Sequence, residues 1–212
     1  MEKKEALIER LISLGYLKSP SVIEAMRAVD RDFFLPRGME RFAYDDSPLP
    51  IGHDQTISAP HMVAIMCEKA DLHAGQKVLE IGAGSGYHAC VTSKITKQRV
   101  YSVERLPELA EEAKRNLARA GCDKVVVIVG DGTLGYPPEA PYDRIIVTAA
   151  APDIPKPLVE QLKAGGKLLI PVGSRWAQDL LRITKHDDGT TTKENLGGCV
   201  FVPLIGEEGW RE

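Results

Sequence analysis

The chain has 212 residues, 43% hydrophobic and 27% charged, which excludes disordered, collagen-like and coiled-coil classes. Lysine and arginine number 27 against 30 aspartates and glutamates, and aromatics are 6%, so neither a broad nucleic-acid footprint nor a base-stacking platform is expected. No run of about 18 apolar residues occurs, so no membrane span is expected, and the length predicts one core with an extension.

The N-terminal run 2–14 places Ala6, Leu7, Ile8, Leu11, Ile12 and Leu14 at helical spacing before Gly15. It is charged and amphipathic and does not read as a secretory signal. A second helix is predicted from Ser19-Pro20 through Val29, with serine as cap and proline in the first turn. Residues 35–57, rich in Pro, Gly and Asp, are read as a long irregular segment. A helix from about 60 to 69 follows, with Ser58 as its expected N-cap.

Strand and helix then alternate: strands at 77–81, 98–103, 124–129, 144–148 and 167–172, helices at 107–120 and 156–163. Short, continuously apolar strands separated by helices mean a parallel sheet covered on both faces. The predicted class is a doubly wound, mostly parallel α/β sheet, Rossmann-like, preceded by helices. Segments 180–184, 190–196 and 199–204, with a turn at Asp188-Gly189, are expected to form an antiparallel C-terminal edge. One domain is expected in three parts: a helical segment and substrate loop (1–57), a cofactor core (58–175) and antiparallel strands (176–212). Cys67, Cys90, Cys122 and Cys199 form no C-x-x-C pair and no zinc spacing. They are expected to be reduced, mostly buried thiols in a cytoplasmic protein, and no metal site is expected.

The run Val78-Leu79-Glu80-Ile81-Gly82-Ala83-Gly84-Ser85-Gly86 leaves a strand and opens a helix, where open α/β sheets bind nucleotides. A dinucleotide fingerprint would need its third glycine at Tyr87, and no Gly-Lys-Ser/Thr follows, so neither that motif nor a P-loop fits. Glu-x-Gly-x-Gly-x-Gly resembles the S-adenosyl-L-methionine-dependent methyltransferases instead. Glu80 is then expected near the cationic pole of the cofactor, and Glu104, ending the next strand, is expected to accept the ribose hydroxyls. Asp131, in Gly130-Asp131-Gly132, is expected to accept from the adenine amino group. Alone, each could be a tight turn or a solvated carboxylate; three acidic strand ends in order fit the carboxyl edge of one sheet.

Asp54-Gln55-Thr56-Ile57-Ser58-Ala59-Pro60-His61-Met62, the glycine run, Gly130-Asp131-Gly132, Ala140-Pro141-Tyr142-Asp143 and Phe201-Val202-Pro203-Leu204 together resemble the protein-L-isoaspartate O-methyltransferase family, from about Leu17 to Trp210. The resemblance implies methylation of the free α-carboxylate of L-isoaspartyl residues, starting their repair through a succinimide. It implies a catalytic role for Ser58, S-adenosyl-L-methionine as cofactor with S-adenosyl-L-homocysteine as product, and isoaspartyl proteins and peptides as partners. Cofactor contacts are expected from Glu80, Gly82, Ala83, Gly84, Gly86, Glu104, Gly130, Asp131 and Gly132, with His61 a further candidate; the other histidines are read as structural or solvent-facing. A monomer is expected.

An α-carboxyl ionises with a pKa of roughly 3.3–3.7, so the nucleophile is charged at neutral pH and no general base is required. The absence of a Ser/His/Asp relay fits that chemistry. Ser47–Ile51 with Val202–Leu204 is expected to form either an apolar peptide groove or simple loop packing. A methyltransferase for another acceptor and a cofactor-binding scaffold are the rival readings.

Overall fold

A computed structural model describes residues 2–211; residues 1 and 212, the outer limits of the expected segments, lie outside them. The N-terminal segment forms α1 (Glu2–Ser13) and α2 (Pro20–Ala28), which bury Leu7, Ile8, Leu11, Val22, Ala25 and Met26. A short 3-10 turn at Arg31–Phe34 carries the chain onward. The expected irregular segment holds a hairpin, β1 (Leu49–Gly52) and β2 (Gln55–Ile57), paired antiparallel. Helix α3 (Pro60–Lys69) follows at the expected place.

The remaining elements are β3 (Val78–Ile81), α4 (Tyr87–Thr96), β4 (Val100–Glu104), α5 (Pro107–Arg119), β5 (Val125–Val129), β6 (Tyr142–Val147), α6 (Lys156–Glu160), β7 (Leu162–Gly173), β8 (Gln178–Lys185) and β9 (Thr191–Cys199). Strands order as β5-β4-β3-β6-β7-β8-β9, parallel from β5 to β7 and antiparallel thereafter. This is the Rossmann-like, mostly parallel sheet expected from the sequence. Crossovers run outward from β3 to β5 and then return to β6 on the other side of β3. That reversal opens a crevice between the carboxyl ends of β3 and β6, where sheets of this kind take ligands.

Two apolar layers flank the sheet. On one side α1 to α5 pack around Val78, Val100, Ile146 and Leu169; on the other, Leu158 and Leu204 cover Leu79, Ile81, Val103 and Ile145. Helix α5 shows why it forms: Pro107 opens it, Leu109, Ala113 and Leu117 recur at helical spacing, and all three are buried. Burying one such leucine contributes roughly 1.5–3 kcal/mol.

Three expectations are corrected. Residues 199–204 do not form a third antiparallel tail strand. Pro203 has no N–H to give a ladder, and the segment instead clasps Ala150, whose N–H donates to Val202 (2.7 Å) and whose carbonyl accepts from Leu204 (2.8 Å). Cys90 and Cys122 are not reduced thiols but a disulfide, tying α4 to the chain just beyond α5; Cys67 and Cys199 are free. Ser58 does not cap α3: the cap position is Ala59, and Asp46 Oδ1 reaches across from the preceding loop to accept the His61 N–H at 2.9 Å.

Candidate active site

The glycine loop leaves β3 with a backbone that side chains would spoil. Gly82 has φ of +94°, and a Cβ there would run into the Thr148 hydroxyl at the end of β6. Thr148 Oγ1 donates to the carbonyls of Ile81 (3.0 Å) and Gly82 (2.7 Å), so one side chain holds both banks of the crevice at fixed separation. Gly86, the left-handed cap of α4, lies against Leu117, which a Cβ would meet at 3.0 Å.

The acidic residues are arranged in layers. Glu104 lines the cleft, and its two oxygens accept the N–H groups of Gly84 (3.0 Å) and Leu106 (3.1 Å), leaving lone pairs for a ligand. Glu80 lies deeper, buried, accepting from Ser102 Oγ at 2.7 Å and paired with His88 Nδ1 at 2.6 Å. Burial works against charge on His88, but the Cys67 sulfur and the Glu80 carboxylate favour it, and its pKa is pushed up to about 10. Glu80 therefore braces the loop from beneath. Asp131 accepts from Thr133 N (2.8 Å) and Oγ1 (2.7 Å), and its other oxygen accepts from Glu207 N at 2.8 Å. Its carboxylate fastens the C-terminal tail; Gly132 beside it lines the cleft, and Ala83 is buried within the loop. Gly130 donates to the Glu104 carbonyl at 3.0 Å.

The cleft has an empty volume of about 600 Å³, its mouth included. Gly82, Gly84 and Glu104 form its floor, Val103, Leu106 and Leu109 one wall, and the tail residues Val202–Ile205 another; Gln55 and Thr56 of the hairpin roof it. Polar groups on one side and apolar walls on the other suit a nucleoside with a charged appendage.

A second, more open and mostly apolar groove adjoins it, lined by Pro48, Ser58, His61, Trp176, Val200 and Phe201 among others. Thr56, Thr148, Val202 and Pro203 line both spaces, so the two meet there. Ser58 is half-buried in the groove wall. His61, expected as a further cofactor contact, is not among the residues lining the inner cleft; it lines the outer groove, with Nδ1 on Asp46 Oδ1 at 2.9 Å. Of the expected groove segment, Pro48 lines it, whereas Leu49 and Ile51 are buried in the core.

Sequence reasoning missed Thr148, which carries no motif and becomes visible only when β6 is known to lie beside β3. It also missed Arg31, whose guanidinium is buried behind Ser58 and donates to the Ser58 carbonyl at 2.8 Å. Among the described residues, no group of His, Cys, Asp and Glu has the arrangement of a metal site.

A model of the family "Protein-L-isoaspartate(D-aspartate) O-methyltransferase" matches residues 2–209. A protein-L-isoaspartate O-methyltransferase of Methanopyrus kandleri is 59% identical, covering 99% of this chain and 94% of that protein. One from Hyperthermus butylicus is 56% identical, covering 100% and 92%. Among solved structures, a beta-aspartate methyltransferase from Plasmodium falciparum in complex with S-adenosyl-L-homocysteine superposes with a TM-score of 0.84 at 29% identity, covering 95% of this chain and 98% of that one. A protein-L-isoaspartate O-methyltransferase structure gives 0.89 at 32% identity, covering 97% and 67%.

Proposed function

Because the chain belongs to the protein-L-isoaspartate(D-aspartate) O-methyltransferase family, and so methylates L-isoaspartyl residues with S-adenosyl-L-methionine, we propose how its residues divide that work. The inner cleft holds the methyl donor and the outer groove holds the isoaspartyl chain. The observation that carries this division is the junction at Thr56, Thr148, Val202 and Pro203, the one stretch of wall common to both spaces.

The residues present fit the donor. Glu104 keeps free lone pairs where ribose hydroxyls would lie, and Gly82 and Gly84 let the backbone approach without a Cβ. Val103, Leu106, Leu204 and Ile205 offer flat apolar walls to an adenine ring. Gly86, Gly130 and Ala83 shape the loop, and Glu80 and Asp131 act from behind it, on His88 and on the tail. When bound, S-adenosyl-L-methionine supplies a methyl group on a cationic sulfonium.

The acceptor arrives as an anion, so the protein's tasks are to orient it and to exclude water. Ser58 donates its hydroxyl proton in a hydrogen bond to one oxygen of the α-carboxylate and leaves the other oxygen free to attack. The tail and the hairpin close over the junction and remove water. A dry site favours a reaction that neutralises opposite charges. The methyl ester then leaves the groove, and its conversion to a succinimide proceeds without further help from the enzyme.

The test pairs an isoaspartyl peptide with its normal aspartyl twin and follows labelled methyl. Label on the isoaspartyl peptide alone is expected; equal labelling of both overturns the reading. Ser58→Ala is expected to slow turnover at least about tenfold, the loss of one hydrogen bond to a charged group, with S-adenosyl-L-homocysteine affinity unchanged. We read residues 1–57, 58–175 and 176–212 as parts of one domain, because the first and third supply the roof and wall of a cleft whose floor is the second. We further propose a monomer, checked by light scattering, and a cytoplasmic setting, in which a Cys90–Cys122 disulfide has precedent chiefly among intracellular proteins of hyperthermophiles.

A further inference from the structure

Arg31 is 1% exposed, the largest of the most deeply buried side chains. Its guanidinium donates only to backbone carbonyls: Ala43 at 2.9 Å, Ser58 at 2.8 Å and Ser47 at 3.4 Å. Its Nε has no hydrogen-bond partner, and its Cζ lies 5.8 Å from the centre of the Tyr87 ring. Among the described residues no carboxylate is in contact with it; Asp46 and Asp45 act on it only at longer range, and Asp46 Oδ1 is engaged by His61. Burial pushes its pKa down from the usual arginine value, yet a guanidinium remains charged at neutral pH. A full positive charge thus lies in the protein interior with no carboxylate in contact, one carbonyl behind the wall at Ser58. An unpaired buried charge is costly, and folding tolerates it where an anion arrives to balance it.

We propose that Arg31 is a positioning residue for the acceptor: it fixes Ser58 through its carbonyl, and its charge makes the groove select the α-carboxylate over the neutral methyl ester. This rests on the reading of the Ser58 groove as the acceptor site. The charge difference separates substrate from product in binding. The substrate is an anion and is held; the product carries no charge and is released. Because the transition state has already shed part of that charge, Arg31 strengthens ground-state binding more than it speeds methyl transfer.

The enzyme loaded with S-adenosyl-L-homocysteine is titrated with an isoaspartyl peptide and with the α-methyl ester of the same peptide. The wild type is expected to bind the carboxylate at least about tenfold more tightly, as for one charge-assisted interaction. Arg31→Gln keeps a donor for the Ser58 carbonyl but no charge, and should weaken the carboxylate about tenfold and the ester little; Arg31→Lys should keep the preference. Kinetically, Arg31→Gln raises KM while the single-turnover methyl-transfer rate stays within about threefold.

A purely structural role would weaken both ligands equally in Arg31→Gln, and that result overturns the proposal. So does a wild type without preference. If Arg31→Gln does not fold, the wild type decides: preference from a buried charge survives about 0.5 M salt, whereas preference from a surface cation collapses, which also overturns the proposal. Ser58→Ala retains the carbonyl that Arg31 holds. Wild-type turnover in that variant removes the Ser58 hydroxyl from the reaction and leaves Arg31 standing. Equal losses in Arg31→Gln beside a slow Ser58→Ala remove Arg31 and leave Ser58.

Discussion

Gly82 carries two demands at once, a left-handed φ and empty space before Thr148. A Cβ at such a φ costs about 1–2 kcal/mol, and the collision must in addition displace a hydroxyl that ties β3 to β6. Gly82→Ala is therefore expected to weaken S-adenosyl-L-homocysteine binding about tenfold or more, read by calorimetry, while far-ultraviolet circular dichroism is retained. His88 gives a prediction in pH. Its folded pKa, raised to about 10 against burial by Cys67 and Glu80, means that its pairing stabilises the fold fully below the unfolded value of about 6.5. That contribution fades as pH rises toward about 10. His88→Gln should flatten the fall in Tm over this window; an unchanged slope would show that the fall arises elsewhere. At this scale the sequence was legible where chemistry repeats along the chain, as in the glycine run and Glu104. It was silent on Arg31 and Thr148, whose roles depend on neighbours 27 residues away and 66 residues away. Ser58 misled as a cap, because the residue before Pro60 is Ala59 and an aspartate from another loop serves the helix.

Strands β3, β4 and β6, buried almost throughout, and the half-buried edge strand β5 announce themselves as apolar runs, and α5 by its period, so this part of the fold was readable. The hairpin β1–β2 was not. It holds Pro50 within a strand and turns through His53 and Asp54 at positive φ, so its composition is that of a loop. What makes it a hairpin is the antiparallel pairing of Leu49 with Ile57 and Pro50 with Thr56, both Leu49 and Ile57 being buried. The Cys90–Cys122 bond was equally hidden, since 32 residues separate its ends and only the docking of α4 beside α5 brings them together. Closing a loop of that length is worth roughly 3–4 kcal/mol of chain entropy. Cys122→Ser, or reduction, is expected to lower Tm by about 6–16 °C in calorimetry. A shift below about 2 °C would mean that the packing of α4 on α5 carries the stability alone.

Across the whole molecule, the cleft is assembled from residues within 55–56, 81–84, 103–109, 132, 148–149 and 202–205, and no single segment owns it. Ligand binding must then stiffen regions far apart in sequence. At 100 times its Kd, S-adenosyl-L-homocysteine should add about 2.7 kcal/mol to stability. Hydrogen exchange should slow in 49–57 and 201–210 together; protection of the glycine loop alone would mean that roof and tail do not close on the ligand.

The tail's part in the cleft bears on how the protein is made. Val202–Ile205 are synthesised after every strand of the sheet, and the Glu207 N–H that anchors them to Asp131 comes later still. A chain broken off before this point owns the glycine loop, Glu104 and Ser58, yet lacks a wall of the inner cleft and the part of the outer groove that Val202 and Pro203 line. Such fragments are expected to bind the methyl donor poorly. Fragments that stop before Val202 are therefore expected neither to sequester the donor nor to hold damaged peptides beside a half-built site.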